Sequence, residues 1–81
     1  MKLPRDIGGE ELAQRLGKCG YKITRQTGSH IRLTSAIKGA EHHITIPGHK
    51  PLKIGTLSSI LNELASYLEV DREIIIGELF R

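Results

Sequence analysis

At 81 residues the chain has room for one domain spanning 1–81, with a single core of a sheet and two helices and no deep substrate cavity. Its one cysteine, Cys19, excludes an internal disulfide framework and suits a reducing cytosol. No apolar run nears the roughly 20 residues that span a bilayer, and Met1 to Gly9 lacks the hydrophobic segment of a signal peptide, so a cytoplasmic protein without a membrane partner is expected. The formal charge of +3 is segregated: between Arg15 and Lys53 eight lysines and arginines face Glu41 alone, while both flanking segments are net acidic. A basic middle that also holds all four histidines attracts polyanions and binds them less well as salt rises.

The first expected element is a helix from about Gly9 to Cys19. Leu12, Leu16 and Cys19 recur at helical spacing, Glu10 and Glu11 suit its positive end, Gly17 weakens its last turn and Gly20 stops it. Cys19 then reads as a small buried hydrophobe on the apolar face. Tyr21 to Arg25 alternates as a strand, Gln26 to Gly28 offers a turn, and Ser29 to Ile37 alternates again, with Ile31 and Leu33 on one face. Lys38-Gly39 supplies a second turn. Glu41 to Ile46 is a third strand, expected to end at Pro47 because proline cannot donate to a ladder.

Pro47 to Pro51 reads as a loop carrying His49, and Leu57, Ile60, Leu61, Leu64 and Leu68 then mark a second helix. Asp71 is placed to cap a short final helix through about Leu79, whose Ile74, Ile75, Ile76, Leu79 and Phe80 are too apolar for full exposure. The order α-β-β-β-α with a short C-terminal helix is an α+β fold. Its three-stranded antiparallel sheet carries the helices on one face and leaves the other open. Strand alternation assigns Lys22, Thr24 and Gln26, then His30, Arg32 and Thr34, then His43 and Thr45 to that open face.

Gly28-Ser29-His30 is the most informative segment, because a glycine turn puts an imidazole at the start of a strand in the most basic region. Imidazole exchanges a proton near neutral pH, and the guanidinium of Arg32 holds a phosphate without changing its own protonation state. Chemistry on a phosphodiester needs both. His42, His43 and His49 do not read as a metal site, since strand neighbours point to opposite faces and no cysteine or well-spaced carboxylate completes a ligand set; no metal or other cofactor is expected.

Gly28-Ser29-His30 after a basic strand, then Ile46-Pro47-Gly48-His49, then Leu52-Lys53-Ile54-Gly55-Thr56-Leu57-Ser58-Ser59-Ile60-Leu61, together with Gly20-Tyr21 and the acidic-hydrophobic end at Val70 to Leu79, resemble the HicA (YcfA-like) toxin family. The resemblance covers nearly the whole chain. It implies a double-stranded-RNA-binding-domain-like fold, ribosome-independent cleavage of mRNA, and inhibition by a HicB-type antitoxin. It also implies that His30, which matches the histidine of the family's Gly-Ser-His motif, is catalytic. Many members carry a second histidine directly after the first. Here that position is Ile31, which leaves His30 as the one candidate within the motif.

RNA supplies its own nucleophile, the 2′-hydroxyl, so a metal-independent endoribonuclease needs a general acid or base and a cation for the phosphate. His30 fits the first role, His49 is the candidate second proton-transfer group, and Arg32 or Lys53 the phosphate stabiliser. Lys22, Arg25, Ser29 and Lys50 complete the expected RNA contacts. The alternative reading is a non-catalytic RNA-binding module, and a third is an interaction domain that docks through Ile74 to Phe80.

Overall fold

The computed structural model describes residues 3–4 and 6–80. Helix α1 (Gly9–Arg15) passes into a 3₁₀ turn (Leu16–Cys19), so the expected single helix changes type one residue before Gly17. Gly20 then takes the left-handed conformation at φ 87°, and the N–H groups of Gly20 and Tyr21 return to the carbonyls of Gly17 and Leu16 at 3.2 Å each. A β-carbon is disfavoured at that φ, which is why the chain can leave the helix here. Cys19 is half-buried against the core rather than fully enclosed.

Strands β1 (Lys22–Gln26), β2 (His30–Ser35) and β3 (His42–Pro47) form one antiparallel sheet with β2 in the middle. In β2 the side chains of Ile31, Leu33 and Ser35 are buried, and those of His30 and Arg32 are exposed. In β3 Ile44 and Ile46 are buried while His43 and Thr45 are exposed. Period-two hydrophobicity thus sorts both strands as expected. β2 begins one residue later than the sequence predicts and ends at Ser35, leaving Ser29 in the turn. β3 includes Pro47 opposite His30. Proline is tolerated there because β3 is an edge strand and its outer side needs no partner.

The register of β1 corrects the expected alternation. Lys22 lies opposite Thr34 and Ile23 opposite Leu33, but then the ladder slips, with Arg25 opposite Arg32 and Gln26 opposite Ile31. The extra residue is a β-bulge at Thr24–Arg25. Opposed residues share a face, so the bulge moves Arg25 onto the open face and turns Gln26 to the helix side, where its Nε2 donates to Glu10 Oε1 at 3.3 Å.

Helix α2 (Ile54–Leu68) buries Leu57, Ile60, Leu61 and Leu64 on one stripe. With Leu12, Leu16, Ile31, Leu33, Ile44 and Ile46 these fill the layer between sheet and helices. Each fully buried leucine or isoleucine is worth about 1.5–3 kcal/mol of transfer free energy. Helix α3 (Arg72–Leu79) adds Ile75, Ile76 and Leu79 to the core. Asp71 holds the N-cap position of α3, but its side chain makes no cap bond; its carbonyl instead receives the Ile74 and Ile75 N–H groups at 3.0 and 3.3 Å. Ile74 remains 54% exposed, because a helical neighbour of the inward-facing Ile75 is rotated off the core stripe. Among the described residues no helix is long and apolar enough to cross a membrane.

A polar clasp ties α2 to the sheet at the end remote from His30. The Tyr21 hydroxyl lies 2.7 Å from His42 Nδ1, His42 Nε2 lies 3.1 Å from Glu63, and the His42 ring stacks on Tyr67 at 4.4 Å. Tyr67 in turn donates to the Ala40 carbonyl at 2.8 Å. An imidazole that accepts from Tyr21 and donates to Glu63 satisfies all three side chains.

Candidate functional site

The Gly28–Ser29 connection presents His30 at the first position of β2. Thr27 closes this tight turn twice over: its N–H donates to the His30 carbonyl at 2.9 Å, and its hydroxyl accepts the His30 N–H at 3.2 Å. The His30 side chain is exposed, and its Nδ1 lies 3.0 Å from the Ser29 hydroxyl. With Nδ1 engaged, Nε2 is the ring nitrogen left for a ligand. Ser29, expected as an RNA contact, is therefore also the residue that orients the imidazole.

The loop after β3 is fastened beside this turn. Gly48 N–H donates to the Ser29 carbonyl at 2.9 Å, Gly9 N–H to the His49 carbonyl at 2.9 Å, and Leu52 N–H to the Ile7 carbonyl at 2.8 Å. A β-carbon on Gly9 would lie 2.0 Å from the Pro47 oxygen, so only glycine allows α1 to start so close to this loop. His49 is thereby held two residues beyond Pro47, the partner of His30, and its side chain is exposed. Lys50 runs alongside Gly8, within a shallow cleft lined by Gly8, Gly9, Glu10, Glu11, Gln14 and Gly48. Lys53 occupies the N-cap of α2.

The expected cations therefore divide between two surfaces. Lys22, Arg25 and Arg32 stand on the open face of the sheet, and Arg25 and Arg32 lie directly across from each other. Lys50 stands on the cleft, whose Glu10 and Glu11 carboxylates repel a phosphate. Among the described residues none of Lys22, Arg25, Arg32, Lys50 or Lys53 takes part in an ion pair, whereas Arg15 is held by Glu11 at 2.9 Å and Lys38 by Glu69 at 3.1 Å. The basic residues on the open face are thus available to an external anion. Glu41, a conceivable partner for Arg32, lies instead 3.9 Å from His43 Nε2.

Arg25 takes the open-face position that alternation assigns to Gln26, and His43, which carries no role in the sequence pattern, gains hydrogen-bond partners there. His43 Nδ1 lies 2.8 Å from the Thr34 hydroxyl, which lies 2.9 Å from the Thr24 hydroxyl, a polar row across all three strands. Alternation exposed that row, but nothing in the chain's linear order marks its members as bonded to one another. His42 and His43 part to opposite faces, the first toward Tyr21 and Glu63, the second toward Thr34.

A glycine turn that presents a serine-held histidine, a neighbouring Pro-Gly-His loop and a basic sheet face without ion pairs among the described residues make up this arrangement. A family profile described as HicA toxin of bacterial toxin-antitoxin matches residues 9–65. The chain belongs to the HicA toxin family. The matched span runs from the start of α1 through most of α2, and so includes the His30 turn, the His49 loop and the whole sheet of this HicA-family toxin. No curated protein and no solved structure gives a significant match. Membership makes the chain a toxin of a toxin–antitoxin system, with an antitoxin as partner.

Proposed function

We propose that this HicA-family chain is a metal-independent endoribonuclease that cleaves mRNA in the cytoplasm and is restrained by a HicB-type antitoxin. The observation that carries the reading is the exposed His30 imidazole, held through Nδ1 by Ser29 and followed two residues later on the same face by Arg32 opposite Arg25. In this mechanism His30 Nε2 removes the proton of the 2′-hydroxyl, while Nδ1–H donates to the Ser29 hydroxyl oxygen. The 2′-oxygen attacks the adjacent phosphorus and the bond to the 5′-oxygen breaks.

Arg32 and Arg25 bind the phosphate oxygens, whose negative charge grows in the transition state. The departing 5′-oxygen takes a proton from an acid, for which His49 in the adjoining loop is the candidate. The products are a 2′,3′-cyclic phosphate and a 5′-hydroxyl. Arg32 is preferred over Lys53 as the stabiliser because it shares the strand face of His30. Lys22, Lys50 and Lys53 steer the polyanion.

The test is cleavage of RNA by wild-type protein and His30→Ala in the presence of a chelator, with product ends identified. His30 is exposed, so the variant keeps its fold. Its rate is expected to fall about 10²- to 10⁴-fold with RNA binding retained. Products ending in 5′-phosphate would reject the mechanism. Binding without cleavage by the wild type would leave the non-catalytic RNA-binding module, which the unpaired cations of the open face also support.

A further inference from the structure

Resting on the reading of the open face as an RNA surface, we propose that Thr34 and His43, with Lys22, form a second subsite that holds a backbone phosphate of the RNA strand two nucleotides from the cut. The open face is built in ranks along β2. His30 stands at one end, Arg32 with Arg25 and Thr45 in the middle, and Thr34 with Lys22 and His43 at the other end. Successive ranks are two strand residues apart, about 6.6 Å, a step comparable with one nucleotide of an unstacked strand. His30 and the last rank are therefore separated by about 13 Å along the strand. That span excludes His43 from proton transfer at the phosphate served by His30, which requires hydrogen-bond contact. It suits a contact with the same strand further along.

The last rank is pre-assembled. The Thr24 hydroxyl donates to the Arg32 carbonyl at 3.4 Å, so the Thr34 hydroxyl donates to Thr24 and His43 Nδ1–H donates to Thr34. The row commits Nδ1 and leaves Nε2 without a hydrogen bond among the described residues. Glu41 Oε1, at 3.9 Å, is within ion-pair range of it but beyond hydrogen-bond length, so a phosphate oxygen must displace that carboxylate to take the bond. As an imidazolium, His43 presents an Nε2–H donor to a phosphate oxygen, in the same rank as Lys22, which lies across Thr34 on β1. The charged groups around it are Lys22 on β1, Arg32 on β2 and Glu41 ahead of β3. Because the ring is already held by Thr34, little rotamer freedom remains to be lost on binding.

The experiment uses the full chain and an oligonucleotide that is 2′-O-methylated except at one ribonucleotide, which fixes the cut. A neutral methylphosphonate replaces the phosphate two linkages away, on either side, and all strands are compared at the same pH. In the wild type, neutralising one of these two positions should raise KM about 3- to 10-fold with kcat retained. His43→Asn keeps the reach to Thr34 but lacks an atom at Nε2. It should show the raised KM already and lose the sensitivity to the methylphosphonate, while His43→Gln, whose amide nitrogen reaches the Nε2 position, restores part of it.

Equal KM for all three strands in the wild type, or undiminished sensitivity in His43→Asn, overturns the subsite. If the wild type cuts no RNA, the ribonuclease reading fails while the subsite is still read by fluorescence anisotropy with the same strands. Weaker binding of the unmodified strand by His43→Asn than by wild type then supports it, and equal binding overturns it.

Discussion

Arg25 lies directly opposite Arg32 across the β1–β2 ladder, two guanidinium groups paired on one face by a bulge at the residue between Ile23 and Arg25. Like charges opposed in this way destabilise a sheet, and among the described residues no carboxylate pairs with either. In the proposed function an RNA phosphate supplies the anion that the pair lacks. Arg25→Gln should therefore raise stability by about 0.2–0.5 kcal/mol at low salt while weakening RNA binding. The slope of log affinity against log salt should fall by about 0.7, the loss of one phosphate contact to a single strand. Urea melts and a salt titration of RNA affinity check the two effects together; a variant that loses stability would mean the guanidinium groups are not in conflict.

In the proposed mechanism the Ser29 hydroxyl, 3.0 Å from His30 Nδ1, positions the ring rather than touching the reacting atoms. Removing one such hydrogen bond costs about 0.5–1.5 kcal/mol, so Ser29→Ala should lower kcat about 2- to 12-fold with KM unchanged. Ser29→Thr, which keeps the hydroxyl, should restore kcat. A rise in KM with kcat held would make Ser29 a phosphate contact instead.

Gly9 is the point where α1 and the loop after β3 touch. Gly9→Ala would drive a β-carbon into the Pro47 carbonyl, and relief requires moving the segment that carries His49 and bonds Ser29. The expected loss is about 1–3 kcal/mol by urea denaturation, with slower RNA cleavage. Gly55→Ala is the control: it lies in α2 with open space around it and should gain up to about 1 kcal/mol from helix propensity.

The Tyr21 phenol is pushed well above its ordinary range, first by burial and then by the negative charges of Tyr67 and Glu63. The Cys19 thiol is also raised, first by burial and then by Glu78, with Lys18 opposing. Both groups keep their protons in the folded chain at pH values where the unfolded chain releases them. The folded state then binds more protons, so stability is full below the unfolded values, about 8.5 for cysteine and 10 for tyrosine, and falls as pH rises through them. Urea midpoints at about pH 8 and 10.5 should show this decline. Tyr21→Phe should cost about 1–2 kcal/mol at neutral pH by leaving His42 Nδ1 without its donor, and should make the alkaline decline shallower.

The residues themselves determined the α-β-β-β-α order and most of the open face. Burial on one side of β2 and β3 imposes a period of two, so Ile31, Leu33, Ile44 and Ile46 turned inward necessarily turn His30, Arg32, His43 and Thr45 outward. Leu57, Ile60, Leu61 and Leu64 located α2 in the same way, at the helical period. β1 carried no such instruction. All five of its residues are exposed, and with no buried set to hold its register, the slip at Thr24–Arg25 is decided by pairing with β2. The fold likewise decided which polar side chains meet. Ser29 with His30, Thr34 with His43 and Gly9 with the Pro47 loop depend on contacts at Å scale, and for all but adjacent residues those follow from packing rather than from order along the chain.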